Sequence, residues 1–228
     1  MNERAQRQAG SGRFITLEGP DGAGKSIHAE RLAAALRARG LTVTLVREPG
    51  GTALGEAIRR ILLDRGLVHA PAADALLFNA ARAQLVAEVV RPALGRGEVV
   101  VCDRFADSTL AYQGHGSGMD LEALRVLAAV STGGLVPDRT ILLDLPVEVG
   151  LERRRRGPAA EQTRFEDDAR HDRAFHDRVR AGFLALAEAA PGRWRVVDAA
   201  AAEERVAADV LVAVADLLPT VGAEVGGG

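Results

Sequence analysis

Cysteine, lysine and aromatic residues are scarce in this chain of 228 residues. The one cysteine, Cys102, stands in the apolar run VVVCD and cannot form an internal disulfide, so the sequence favours a reduced, cytoplasmic setting. Aromatic residues make up 4% of the chain, which leaves alanine, leucine and valine to fill most of a core. No apolar run reaches the roughly 18 residues that a membrane-spanning helix needs, so we expect no membrane partner.

Strong charge of either sign is also missing. The formal net charge is −2, which provides no overall attraction to nucleic acid or to a membrane surface, and we expect neither as a partner. The length and a hydrophobic content of 47% suit one α/β domain with a substantial core. The ends are polar or rich in glycine and lack a signal-peptide core. We therefore predict one domain over residues 13–218 between flexible tails, residues 1–12 and 219–228.

The single lysine, Lys25, lies in a glycine-rich stretch. Lysine and arginine number 29 together and lysine occurs once, so the other 28 are arginine. The stretch GPDGAGKS fits the pattern G-x-x-x-x-G-K-[S/T], whose backbone N–H groups surround the phosphates of a nucleotide. A compact ammonium can follow the β- and γ-phosphates, whereas the planar fork of arginine would fit this cradle poorly. The predicted phosphate-binding residues are Gly19, Pro20, Asp21, Gly22, Ala23, Gly24, Lys25 and Ser26.

Apolar strand-like runs alternate with helix-like segments along the whole domain, which predicts a parallel sheet buried between helices. Ligands of such sheets collect at the carboxyl ends of the strands. The five predicted strands are Arg13–Glu18, Leu41–Val46, Glu98–Asp103, Thr140–Leu145 and Arg195–Asp198. The predicted helices are Lys25–Arg39, Leu54–Asp64, Ala72–Ala93, Asp120–Val130, Val147–Arg155, Arg170–Ala189 and Glu203–Leu217.

Two further motifs follow the second and third predicted strands: REPGGT, which begins at Arg47, and DRFADSTLAYQG, which begins at Asp103. A carboxylate at the end of an apolar strand can hold Mg²⁺ through water, so we predict that Asp103 and the Ser26 hydroxyl bind this ion. Arg47 and Arg104 lie outside the glycine-rich loop and could bind a second phosphate. Two such arginines suit an acceptor that itself carries a phosphate.

Phe78 and Arg82 are four residues apart within LLFNAARAQLV and share one helix face. The ring could stack on a base while the guanidinium bonds the base edge. Each also has a plain structural interpretation, Phe78 in the core and Arg82 on the surface. The other motifs favour the functional interpretation of the pair.

These motifs together resemble the thymidylate kinase family from about Phe14 to Leu217, and REPGGT with DRFADSTLAYQG is far more specific than the glycine-rich loop alone. The resemblance implies a three-layer P-loop NTPase fold with an arginine-rich lid. It implies transfer of the γ-phosphoryl group of ATP to dTMP, which gives dTDP and ADP on the route to dTTP. It further implies Mg²⁺ and a homodimer.

The resemblance also implies individual roles at matching positions. Phe78 would stack on thymine and Arg82 would bond its carbonyl edge, while Gln113 and Thr109 would lie near the base. Tyr112 would crowd the 2′ position of the sugar, and Asp21 would lie near the 3′-hydroxyl. The implied substrate-binding residues are Asp21, Arg47, Phe78, Arg82, Arg104, Thr109, Tyr112 and Gln113. The implied catalytic residues are Lys25, Asp103, Arg104, Arg153 and Arg155.

The catalytic arginine of this family comes either from the variable loop positions or from a mobile lid. The loop positions here hold no arginine, so the chain resembles the lid type, with a lid over about residues 153–166. Arg153 and Arg155 match the family's spaced pair, and Arg164 is the alternative. The run Arg153–Arg156 could instead be a solvated helix end that places positive charge near the C-terminal dipole.

Other interpretations of the glycine-rich loop are a kinase for a different nucleoside monophosphate, a regulatory GTPase or partition ATPase, and a protein with an inactive loop. A GTPase needs an Asn-Lys-x-Asp base reader, and a partition ATPase needs a second lysine near the loop; the sequence contains neither. Lys25, Ser26 and Asp103 argue against an inactive loop. Ile27 stands where the family usually has a hydroxyl residue and Phe105 where it often has tyrosine, so one polar contact is lost at each position.

Overall fold

The computed structural model describes residues 12–156 and 172–218. Its sheet has five parallel strands in the order β2-β3-β1-β4-β5. The strands are β1 Arg13–Glu18, β2 Val43–Arg47, β3 Val99–Asp103, β4 Arg139–Asp144 and β5 Trp194–Asp198. The predicted parallel sheet is confirmed, and each strand matches its predicted range to within two residues.

Helices cover both faces of the sheet. Their bounds are α1 Lys25–Ala38, α2 Ala53–Leu63, α3 Pro71–Leu85, α4 Arg91–Gly95, α5 Ala106–Thr109, α6 Leu121–Thr132, α7 Val147–Arg156, α8 Arg173–Ala189 and α9 Glu203–Val212. Wider π-type turns over Val86–Val90 and Leu110–Gly116 follow α3 and α5, and a 3₁₀ turn over Ala215–Leu217 follows α9. None of the described helices is long and apolar enough to cross a bilayer.

Successive side chains of each strand point to opposite faces of the sheet, so the core has two parts, one on each face. Ile15 and Val101 pack with α1 and α9 on one side, whereas Phe14, Val100 and Cys102 pack with α3 and α4 on the other. Every residue of β3 is buried, so its apolar run reflects cover on both faces. The strand ends converge on one edge, where the polar motifs lie.

Three segments differ from the sequence prediction. The predicted helix Ala72–Ala93 begins at Pro71 and contains the π-type turn before α4, and the predicted Glu203–Leu217 helix ends at Val212. Residues Ala106–Gly116 are helical although no helix was predicted there. This segment carries Thr109, Tyr112 and Gln113 inward, which leaves too little apolar periodicity for the pattern to indicate a helix.

Candidate active site

The loop Gly19–Ser26, which joins β1 to the start of α1, is the predicted phosphate cradle. Gly19, at a φ of 144°, lies so close to β4 that an added Cβ would stand 2.5 Å from the carbonyl oxygen of Leu143. Only glycine permits both the conformation and the approach. The first N–H groups of α1 point into the loop, so its positive end faces a bound anion.

Lys25 is buried at the base of this cradle, where its Nζ donates a hydrogen bond to the carbonyl oxygen of Pro20 at 2.8 Å. Burial, and after it the charge of Arg104, lowers the pKa of Lys25 to about 8. The ammonium is therefore still protonated at neutral pH. Anionic phosphates placed against it would favour the charged form further.

The cradle also touches the helix that carries the arginine run. A Cβ on Gly22 would stand 2.3 Å from the carbonyl oxygen of Gly150, and one on Gly150 would stand 2.4 Å from that of Asp21. One turn further along α7, Nη1 of Arg153 lies 3.4 Å from the carbonyl oxygen of Gly22 and 3.0 Å from that of Ala199. The backbone contact therefore fixes the position of α7 relative to the loop Gly19–Ser26.

Ser26 and Asp103 form the predicted cation site. The Oγ of Ser26 donates to Oδ2 of Asp103 at 2.5 Å, across the gap between α1 and the end of β3. The other carboxylate oxygen, Oδ1, is buried and has no hydrogen-bond partner among the described residues. A hydroxyl beside an unpaired carboxylate oxygen is a donor set that suits Mg²⁺, which keeps several waters and takes few protein ligands.

Asp21 and Arg104 connect the cradle to the segment that follows β3. Nη2 of Arg104 lies 2.5 Å from Oδ1 of Asp21, and the guanidinium stacks over Tyr112 at 5.0 Å from its ring centroid. Burial raises the pKa of Asp21, but Arg104 and Lys25 outweigh it and hold that pKa well below its usual range. A carboxylate and a guanidinium thus face each other at the mouth of the cradle.

Arg82 is enclosed, with 1% of its surface exposed. Nε donates to Glu48, Nη1 donates to Asn79 and to Thr109, and Nη2 donates to the carbonyl oxygen of Phe105. Nη2 also lies 2.7 Å from Oε2 of Glu48 as an ion pair, so all three guanidinium nitrogens already contact an acceptor. A bond to a base edge requires the exchange of one of these contacts, and the longest is that to Thr109 at 3.2 Å.

Phe78 lies on α3, and Gln113 lies on the π-type turn that packs against α3. Phe78 is half-buried and packs against Ile58, Leu62 and Ala81, the small cluster between α2 and α3. Gln113 is buried in the wall of a cleft of about 510 Å³. The cleft is also lined by Pro71, Asp74, Gly116, Ser117, Gly118, Phe175 and Arg178.

Arg47 lies at the end of β2 and is exposed. Its Nη2 contacts Oε1 of Glu56 on α2 at 3.2 Å, and the same carboxylate oxygen accepts the N–H of Gly51 at 2.9 Å. Burial lowers the pKa of Arg59 on α2, and the nearby charges of Arg47 and Arg104 lower it further. Three guanidinium groups therefore share this side of the site.

The arginine side chains at the end of α7 point in different directions. Arg155 pairs with Glu152 of its own helix and its side chain is 74% exposed, whereas Arg153 reaches the cradle. Arg154 is half-buried and close enough to Asp21 to help lower the pKa of that carboxyl. Arg164 and most of the predicted lid lie outside the described residues.

Residues 17–210 match the family model described as thymidylate kinase. The chain belongs to the thymidylate kinase family. The thymidylate kinases of Deinococcus radiodurans and Thermomicrobium roseum are 52% and 53% identical to it over 205 residues, or 90% of this chain and 97% and 95% of theirs. A crystal structure of thymidylate kinase from Ehrlichia chaffeensis has a TM-score of 0.72 at 31% identity and covers 90% of this chain and 99% of that one.

The predicted family, five-stranded fold and activity are therefore confirmed, and the chain is an ATP:dTMP phosphotransferase. Within this thymidylate kinase the structure brings Asp21, Lys25, Ser26, Asp103 and Arg104 together at one edge of the sheet. It brings Arg82 to Thr109, but through contacts internal to the protein. It leaves Arg155 on the surface of α7.

Sequence reasoning missed two charged residues of the thymidylate kinase site. Glu18 is fully buried at the end of β1 and bonds the segment after Arg104. Its position before Gly19, at the end of an apolar run, was a signal that could have identified it. Arg59 is one of two adjacent arginines on α2, and no sequence pattern separates it from its exposed neighbour Arg60.

Proposed function

We propose that this thymidylate kinase binds ATP in the Gly19–Ser26 cradle and the phosphate of dTMP beside Arg104, in an in-line arrangement. The contact between Asp21 and Arg104, 2.5 Å long, is the observation that carries this proposal. It joins a residue of the ATP cradle to a guanidinium of the acceptor motif. An acceptor phosphate bonded by Arg104 would therefore lie next to the γ-phosphate, as near-attack geometry requires.

On the donor side, Lys25 exchanges its bond to the Pro20 carbonyl oxygen for oxygens of the β- and γ-phosphates. The N–H groups at the start of α1 hold the remaining charge. Because these N–H groups are fixed by the fold before the nucleotide arrives, they stabilise the charge that develops in the transition state without reorganising. Their support from β1 and β4 keeps the cradle rigid.

Ser26 and Asp103 would hold Mg²⁺, which when bound neutralises charge on the phosphates of ATP. The unpaired Oδ1 of Asp103 supports this assignment because a buried carboxylate oxygen without a donor is costly unless a cation compensates it. The Ser26 hydroxyl, which donates to Asp103 here, would supply an oxygen ligand to the ion.

On the acceptor side, Arg104 and Arg47 bind the phosphate of dTMP, and Asp21 and Tyr112 contact the sugar. Phe78 stacks on thymine, and Gln113, Thr109 and Arg82 face the base. The stacking of Arg104 on Tyr112 supports this arrangement because it ties the phosphate binder to the residue assigned to the 2′ position. A deoxyribose would then be favoured over a ribose by the bulk of the tyrosine ring.

A coupled assay of ADP release with a panel of nucleoside monophosphates tests the acceptor assignment. We expect dTMP to give by far the highest kcat/KM, ahead of AMP, GMP and CMP, and UMP to be a poorer acceptor than dUMP. A preference for AMP, GMP or CMP over dTMP would contradict the base site proposed here. Equal use of UMP and dUMP would contradict only the proposed role of Tyr112 and would leave the base site untouched.

Replacement of Phe78 by alanine tests the stacking role. We expect Phe78→Ala to weaken dTMP binding by about 1–3 kcal/mol, the usual contribution of a base stacked on an aromatic ring, while the affinity for ATP stays the same. Separate titrations of dTMP and ATP measure both affinities. Leu62→Ala is the control, because Leu62 is buried in the same cluster and is not among the residues assigned to either nucleotide. Equal losses for both nucleotides in Phe78→Ala would indicate a core residue instead.

We also propose a cytoplasmic homodimer. The helices α2, α3 and α6 pack side by side and expose large apolar side chains to solvent. These are Leu54, Ile61, Leu76, Val126 and Val130, of which Val130 is 75% exposed. A face of this kind on neighbouring helices is typical of an interface between copies. Sedimentation velocity at micromolar concentration should show a dimer, and a monomer throughout would contradict the proposal.

A further inference from the structure

Arg104 has an unusual backbone conformation for its residue type. Its φ is 69°, and it is the one non-glycine residue with positive φ in the two described segments. A left-handed conformation is unfavourable for an arginine, so it persists only where the surroundings impose it. The conformation turns the chain sharply after β3 and aims the guanidinium back at Asp21.

Glu18 supplies the bonds that hold this turn. It is fully buried at the end of β1, and its Oε1 accepts the N–H of Phe105 at 2.8 Å and the N–H of Ser108 at 3.3 Å. Its Oε2 accepts the Ser108 hydroxyl at 2.6 Å. The oxygen of that hydroxyl accepts from Nη1 of Arg104 at 3.2 Å. One carboxyl group therefore supports both the backbone next to Arg104 and, through Ser108, its guanidinium.

We propose that Glu18 is a positioning residue for dTMP binding, which acts through Arg104 by fixing the turn at Phe105 and the orientation of Ser108. The described hydrogen bonds of its side chain all go to the segment after β3, so its loss should weaken the binding of the acceptor and not that of ATP. This inference rests on the proposed role of Arg104 at the acceptor phosphate.

The charge state of Glu18 fits a supporting role. Burial, and next the charge of Asp107, raises the pKa of Glu18 to about 8, so the carboxyl is neutral at pH 7. A neutral carboxyl needs no counter-ion: its carbonyl oxygen Oε1 keeps the two N–H bonds, and its hydroxyl at Oε2 exchanges donor and acceptor roles with the Ser108 hydroxyl. Glutamine has the same length and the same acceptor atom. It should therefore replace Glu18, whereas alanine should not.

Separate titrations of dTMP and ATP test the inference. We expect Glu18→Ala to weaken dTMP binding about tenfold and Ser108→Ala about threefold, since each removes support for a charged hydrogen bond. The affinity for ATP should change less than twofold in both variants, and Glu18→Gln should resemble the wild type. Thr16→Val is the control, because Thr16 is a buried residue of the same strand whose hydroxyl bonds Thr140 and not the Arg104 segment. It should leave both affinities unchanged.

A double-mutant cycle with Arg104→Ala separates positioning from a general loss of structure. If Glu18 acts through Arg104, then Glu18→Ala or Ser108→Ala should weaken dTMP binding no further once Arg104 is removed. Additive losses overturn the inference, as does unchanged dTMP affinity in Ser108→Ala, a variant that leaves the core intact. If Arg104→Ala itself leaves dTMP affinity unchanged, the proposed role of Arg104 has failed instead.

Discussion

Lys25→Arg is expected to be nearly inactive although it preserves the charge. The ammonium lies in a buried site, 2.8 Å from the Pro20 carbonyl oxygen, and the larger planar guanidinium cannot occupy that space without displacing the loop. We expect kcat to fall by about 10²–10³-fold in Lys25→Arg and in Lys25→Ala, the range for loss of one preorganised donor to the transition state. Single-turnover measurements at saturating ATP and dTMP would determine the loss.

The matched control for Lys25 lies one and a half turns further along α1. Arg31 is exposed and pairs with Glu203, so Arg31→Lys makes the reverse exchange on the same helix and should leave kcat unchanged. The unfolding temperature of Lys25→Ala should stay close to that of the wild type. Turnover near the wild-type rate in Lys25→Arg would show that the cradle does not select for the ammonium.

Removal of the lid arginines should produce a loss of similar size. A guanidinium that reaches the transferring phosphoryl group stabilises the transition state more than the bound substrates, so its loss lowers kcat more than it raises the KM for dTMP. By analogy with arginine fingers, we expect Arg153→Ala/Arg155→Ala to lower kcat about 10³-fold. Arg153 should account for most of this loss because it already contacts the Gly22 carbonyl oxygen, whereas Arg155 pairs with Glu152.

Arg156→Ala is the control for the lid variants. Arg156 pairs with the same Glu152, and its side chain is 78% exposed, so it matches Arg155 in charge and surroundings. It should keep the wild-type kcat. If the double variant also keeps it, the run is a solvated helix end. Arg154, whose charge acts on Asp21, and Arg164 would then be the residues to replace.

Much of the fold could be predicted from apolar runs because a parallel sheet covered on both faces leaves nearly continuous apolar strands. β1 was predicted at its observed bounds, and β3 differs by one residue. The segment Ala106–Gly116 escaped prediction because its helical turns point polar side chains into the site, which removes the periodicity that identifies a surface helix. The π-type turn at Val86–Val90 leaves no mark in composition.

The site residues also fall into two groups, those whose positions the sequence could predict and those whose contacts only the structure shows. Lys25, Ser26 and Asp103 could be placed from the sequence because loop spacing and strand ends fix them. The enclosed bonds of Arg82 could not, since its acceptors Glu48, Phe105 and Thr109 come from two distant segments that only the fold brings together. The contact of Gly22 with Gly150 likewise joins two glycines 128 positions apart (150 − 22), and neither glycine is distinctive in the sequence.

The burial of a single lysine gives this chain an unusual pattern of proteolysis. A protease that cuts only after lysine has one target bond, between Lys25 and Ser26, and that bond lies at the start of α1 in the middle of the cradle. Cleavage requires the cradle to open, so its rate reports the population of that open form when reclosing is fast. Cleavage yields two fragments, of 25 and 203 residues (228 − 25). The rate at which they appear would measure the local stability of the nucleotide site directly.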